Sequence, residues 1–186
     1  MSMYSQMKET FRSEYKEGSD VYKQRLALWR SQPVITRAEG PTNIARAREL
    51  GYRAKEGVMI ARVRLRGGKS KRAMHGGGRK PSKSGRFFSR AKSLQSIAEE
   101  RAATRFSNCE VLNSYFVGQA GSDKFYEIIL IDRASPSAQS LYSGVLSQKG
   151  RAYRGLTHSG RKHRGIATKG YGTIKRRPSK RANLRS

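Results

Sequence analysis

Residues 58–66 read VMIARVRLR, and this nonapeptide decides the fold. Over its second half the side chains alternate, with Ala61, Val63 and Leu65 on one side and Arg62, Arg64 and Arg66 on the other. Successive side chains of a strand point to opposite faces, so the spacing predicts a strand with one apolar face and one face of guanidinium groups. EVLNSYFVG at 110–118 and KFYEIILID at 124–132 read as two further strands, joined through QAGSD as a hairpin. VITR at 34–37 predicts a short fourth strand.

Helical spacing surrounds these strands. Met3, Met7, Phe11 and Tyr15 recur every fourth residue and predict a helix ended by Gly18. Val21, Tyr22, Leu26 and Trp29 pattern a second helix that stops before Pro33. GPTNIARARELG at 40–51 carries Pro41-Thr42 at its entry and Gly51 past its end, the signals of a short helix. AKSLQSIAEERAATRF at 91–106 sets Leu94, Ile97, Ala98, Ala102 and Phe106 at helical spacing. ASPSAQSLYSGVLSQ at 134–148 is ambiguous, with short helical turns as one reading, and nothing beyond Gly150 predicts a buried core. These elements predict an α+β fold. One domain spans 1–148 with a basic loop inserted at 66–91, and an extended basic tail spans 149–186.

Charge bounds the function. The 186 residues carry 40 Lys and Arg against 13 Asp and Glu, a net charge of +27. Such a chain repels itself, which calls for an acidic partner, and nucleic acid is the densest common polyanion. The excess is segregated: residues 57–98 and 133–186 hold no acid, whereas Glu99 to Asp132 holds most of the apolar patterning. Binding to a membrane surface would need an amphipathic basic helix or a lipid anchor, and the Gly-broken basic segments offer neither. The IILI run at 128–131 is too short to span a bilayer, and the mixed N-terminus does not resemble a signal peptide. The single Cys109 excludes an intrachain disulfide and fits a reducing compartment. The expectation is a soluble protein of the cytoplasm.

Catalytic and metal motifs fail on spacing. GGKS at 67–70 lacks the Gly five residues before Gly68 that a phosphate-binding P-loop needs. His158 and His163 have the spacing of half a zinc finger, but no Cys pair completes four ligands. Glu99 and Glu100 point about 100° apart on a helix and do not face one another. Asp132 is a lone carboxylate. No catalytic residue, metal, cofactor or small-molecule substrate is expected. Two rivals to RNA binding share the charge: a DNA-packaging protein and a nuclease.

The basic segments carry the binding chemistry. In RGGKSKRAMHGGGRKPSKSGR at 66–86 the only apolar side chains are Ala73 and Met74. Glycines among the cations let backbone N–H groups approach phosphate or sugar. Flat side chains among them can stack on unpaired bases: Phe87, Tyr153, His163 and Tyr171 are the candidates, with Phe88 and His158 beside them. Phe87 and Phe88 have an equal alternative, anchoring the loop to the core. The candidate RNA-binding cations of the strand and loop are Arg62, Arg64, Arg66, Lys69, Lys71, Arg72, Arg79, Lys80, Lys83, Arg86 and Arg90. Those of the tail are Arg151, Arg154, Arg161, Lys162, Arg164, Lys169, Lys175, Arg176 and Arg177.

Several stretches together resemble one family, the large-ribosomal-subunit proteins numbered fifteen in the archaeal and eukaryotic series. They are RARELGYRAKEG at 46–57, VRLRGGKSKR at 63–72, AKSLQSIAEERAATRF at 91–106, VLNSYFVG at 111–118, KFYEIILID at 124–132 and RGLTHSGRKHRG at 154–165. The resemblance implies a three-layer α/β/α core with a four-stranded antiparallel sheet. It also implies a structural, non-catalytic constituent of the large subunit, bound to its RNA and beside neighbouring ribosomal proteins. Under it, Arg64, Arg66, Lys69, Lys71, Arg72, Arg154, Arg161, Lys162 and Arg164 inherit RNA contacts.

Overall fold

In the computed structural model, which describes residues 2–68, 70–73, 76–79, 81–88 and 92–165, the alternating nonapeptide is an inner strand. The elements in chain order are α1 (Met3–Glu17), α2 (Asp20–Ser31), β1 (Ile35–Ala38), α3 (Ile44–Glu49), β2 (Val58–Arg66), β3 (Ser70–Lys71) and β4 (Phe87–Phe88). There follow α4 (Leu94–Arg105), β5 (Cys109–Ala120), β6 (Asp123–Asp132), α5 (Pro136–Leu146), α6 (Arg151–Arg154) and α7 (His158–His163). Four strands form one antiparallel sheet in the order β1–β2–β6–β5. The α+β class and the antiparallel sheet stand as expected.

Local chemistry sets the boundaries. Side chains of Ser2, Ser19, Asn43, Ser93 and Thr157 accept N–H bonds at the starts of α1, α2, α3, α4 and α7. Each satisfies a backbone donor that the helix leaves unpaired. The hairpin is tighter than QAGSD suggests, because β5 runs on to Ala120 and β6 begins at Asp123. That leaves Gly121 and Ser122 to turn, with Gly121 at φ 59°, a left-handed value that favours glycine.

The sheet is covered on both faces. On one, Ala61, Val63, Leu65, Ile128 and Leu130 pack with Ala98 and Ala102 of α4. On the other, Ile60, Phe125 and Ile129 pack with Tyr22, Leu26 and Trp29 of α2 and Ala47 of α3. Ile128 through Ile131 are fully buried, which is why β6 reads as a continuous apolar run. Each such side chain contributes about 1.5–3 kcal/mol through burial. A register shift in β5 between Val111 and Asn113 turns Ser114 toward α4 and Tyr115 toward the opposite face. The stripe on α1 enters neither core, and no α1 residue is buried.

In the C-terminal half one open segment is settled and one expectation is corrected. The undecided segment forms α5, with Pro136 as its first residue, Ala138 buried, and Tyr142 donating to the Gly51 carbonyl at 2.7 Å. Residues 151–165, expected to belong to an extended tail, fold onto α4 and β5 as α6 and α7. Polar contacts hold much of this packing. Thr157 Oγ1 donates to Glu99 at 2.5 Å, and the Ser96 and Ser159 hydroxyls lie 2.6 Å apart. Gly160 makes the approach possible: a Cβ there would sit 2.6 Å from the Gly155 Cα. The remainder of the expected tail, 166–186, lies outside the described residues.

Candidate nucleic-acid interface

The guanidinium face expected of β2 is not one surface. α2 lies over its middle, so Arg62 is enclosed and only 14% of its side chain is exposed. Its guanidinium stacks 4.2 Å from the Trp29 ring centroid and meets the Glu127 carboxylate at 3.0 Å. Glu127 is wholly buried and also accepts from the Thr42 backbone N–H at 3.0 Å, the Thr42 hydroxyl at 2.5 Å and the Tyr115 hydroxyl at 2.6 Å. Burial and the adjoining carboxylate push the Tyr115 hydroxyl well above its ordinary pKa, so it remains a donor. Arg62 is thus a packing and charge-balancing residue rather than an exposed RNA ligand. Alternation shows that it leaves the α4 side of the sheet, but not that a helix covers the other side.

Toward the end of the strand the same face opens. Arg64 is half-buried, its guanidinium donating to the Arg30 carbonyl, and Arg66 is exposed. Beyond Arg66 the basic loop forms a small antiparallel ladder, β3 with β4. There the Arg72 N–H donates to the Arg86 carbonyl at 2.9 Å, and the Arg72 guanidinium lies 4.2 Å from the Phe88 ring centroid. Neither Phe87 nor Phe88 joins an apolar core, so the anchoring alternative fails. Phe87 presents an exposed ring. Lys71, Arg72, Arg79 and Arg86 are all exposed. Lys69, Lys80, Arg90 and the side chain of Lys83 lie outside the described residues.

The docked α6–α7 segment presents Arg154, Arg161, Lys162 and His163 outward. Tyr153 keeps an exposed ring while its hydroxyl is tied to Thr104 of α4 at 2.6 Å. Two predicted ligands here serve the fold. Half-buried Arg151 lies near Glu110 and Glu99, and burial lowers its pKa. Arg164 turns back to the carbonyls of Arg154 and Gly155 at 3.3 and 3.4 Å. Lys169, Tyr171, Lys175, Arg176 and Arg177 lie outside the described residues.

The buried acids sharpen the surface charge. Glu99, Glu110 and Glu127 are all buried. Arg133 pairs with Glu110, and Ser114 and Thr157 bond Glu99, each at 2.5 Å. Desolvation raises the Glu99 pKa. By contrast Arg66, Lys71, Arg79, Arg154, Arg161 and Lys162 make no ion pair among the described residues. Asp132, the lone nuclease candidate, accepts from the Asn108 amide at 2.6 Å and the Ala134 N–H at 2.9 Å, which anchors a turn. No group of three potential metal ligands occurs among the described residues.

Sequence reading passed over Arg30 and Arg101, two exposed helix arginines. The fold brings them to one cleft with Arg64 and Arg66, about 710 Å³ in volume. They stand on α2 and α4, on opposite sides of the sheet, and no local pattern connects them.

The family model described as Ribosomal L15, the L15e type, matches residues 2–183. This chain belongs to the ribosomal L15e family. Its relatives include the large ribosomal subunit protein eL15 of Methanocorpusculum labreanum, 45% identical over 182 residues, which cover 96% of this chain and 94% of that one. The eL15 proteins of Picrophilus torridus and Thermoplasma volcanium are each 44% identical, covering 100% and 99% of this chain and 98% and 96% of their own. L15e proteins are structural components of the ribosome, not enzymes, and they reside with it in the cytoplasm. The packaging and nuclease readings therefore fall away.

Proposed function

We propose that this L15e chain stabilises the RNA of the large ribosomal subunit, with cations of the β2 end, the β3–β4 hairpin and the α6–α7 segment set against RNA phosphates. Arg66, Lys71, Arg79, Arg154, Arg161 and Lys162 are exposed and have no acidic partner among the described residues, which is the observation that carries the reading. An external polyanion supplies the missing counter-charge, and the released counterions drive association. Phe87, Tyr153 and His163 add rings on which unpaired bases stack. Neighbouring proteins of the subunit complete its surroundings.

Salt titration tests this. The logarithm of the affinity for large-subunit RNA should fall linearly with the logarithm of salt concentration, with a slope of about 0.7–0.9 per phosphate neutralised. Replacing Arg154, Arg161 and Lys162 together by Gln should reduce that slope by about two to three. A salt-independent affinity would overturn the reading.

A further inference from the structure

We propose that the cleft of Arg30, Arg64, Arg66 and Arg101 is a receptor for a short unpaired stretch of RNA, one or two nucleotides held by base and phosphate together. The proposal rests on the RNA-binding reading and gives that reading a discrete site.

The cleft exists because the sheet ends unevenly. β1 reaches β2 only as far as Arg64, whose N–H donates to the Val34 carbonyl at 2.9 Å. Past that point the edge of β2 is not covered by β1, while β6 continues beside it to Asp123. α2 flanks this open corner from one face of the sheet and α4 from the other. The result is a concavity of about 710 Å³ bordered by four guanidinium groups and one carboxylate, Asp123.

Shape selects among RNA ligands. A cavity of this volume falls within the range of small-ligand pockets. An unpaired nucleotide can fill such a concavity with base and phosphate together, because its base is free to splay outward, whereas a duplex keeps its bases stacked inside and offers only its backbone. The chemistry agrees. Guanidinium groups hold phosphate bidentately and also stack on bases. Ala27 and Val34, both exposed, add an apolar patch against which a sugar or base face can rest. Arg66 and Arg101 make no ion pair among the described residues, and Arg30 has Asp123 only at 4.0 Å. The Asp123 carboxylate keeps the cleft from being a uniform anion trap and can accept from a base amino or ribose hydroxyl group.

The test uses the full chain with two RNA probes of equal length, one unstructured single strand and one perfect duplex. The variant Arg30→Gln/Arg101→Gln is compared with Arg12→Gln/Arg53→Gln, which removes the same charge from exposed sites away from the cleft. Circular dichroism checks that all proteins fold alike. The cleft variant should lose at least tenfold in affinity for the single strand and about 1.4 in salt slope, while its duplex binding matches that of the control variant. If the cleft variant matches the control on both probes, or weakens equally on both, the cleft has no such role, yet the RNA reading survives. If the unaltered chain binds neither probe in a salt-dependent way, both fall.

Discussion

Arg62 and Arg66 leave β2 on the same side, two alternations apart, and their surroundings are opposite. Arg62 lies under α2, stacked on Trp29 and paired with wholly buried Glu127. Arg66 stands where the sheet edge opens, exposed and without an ion pair among the described residues. One residue type on one face therefore does two jobs, closing a core and offering charge outward. What separates them is where the covering helix ends. Counting cations accordingly overstates the number available to RNA, whereas counting acids overstates the number available to oppose them.

The sharpest way to break this contrast is to truncate each arginine. Arg62→Ala leaves Glu127 buried without its countercharge and should cost about 3–5 kcal/mol in urea unfolding. Arg66→Ala should cost under about 0.5 kcal/mol, as surface substitutions do, and show its effect in RNA affinity. Equal destabilisation by the two would show that α2 does not divide the face as described.

A second test addresses the docked C-terminal segment. Gly160→Ala would place a Cβ 2.6 Å from the Gly155 Cα and 2.7 Å from its carbonyl carbon, backbone atoms that cannot rotate away. Overpacking of this kind costs roughly 1–3 kcal/mol. Hydrogen exchange should quicken in α6 and α7 and remain slow in β2 and β6. Uniform quickening would mean that the segment is integral to the sheet domain.

The smallest effect is pH-dependent. Burial raises the Glu99 pKa, so over the window from the ordinary carboxylate range up to the raised value the folded state holds a proton that the unfolded state has released. Stability therefore falls as pH rises through that window. Ser114 and Thr157 donate to different oxygens of Glu99, so Glu99→Gln removes the titration, keeps one of these two bonds and turns the amide nitrogen toward the other hydroxyl oxygen. The wild type should lose stability relative to this variant on going from acid to neutral pH, and a constant difference would contradict the assignment.

The sheet was legible because its signals are local. β2 spans the nonapeptide residue for residue, and the apolar run of β6 reflects helices on both faces. α4 follows its spacing from Leu94 to Arg105. The docking of α6 and α7 was not legible, since Ala152, Thr157, Ser159 and Gly160 are small or polar and carry no apolar period. Their burial depends on Glu99 and Ser96, which are 58 and 63 residues away from Thr157 and Ser159. Arg62 was misplaced for a related reason: alternation reports a face and not what covers it. Arg30 and Arg101 look like ordinary helix-surface charges until the fold sets both beside the end of β2.

Arginine reactivity mapped by mass spectrometry tests the division of cations most directly, with phenylglyoxal applied to the free chain and to assembled large subunits. Arg62 should resist modification in both states, whereas Arg66, Arg154 and Arg161 should react in the free chain and become protected in the subunit. Ready modification of Arg62 in the folded free chain, or unchanged reactivity of the other three after assembly, would contradict the account.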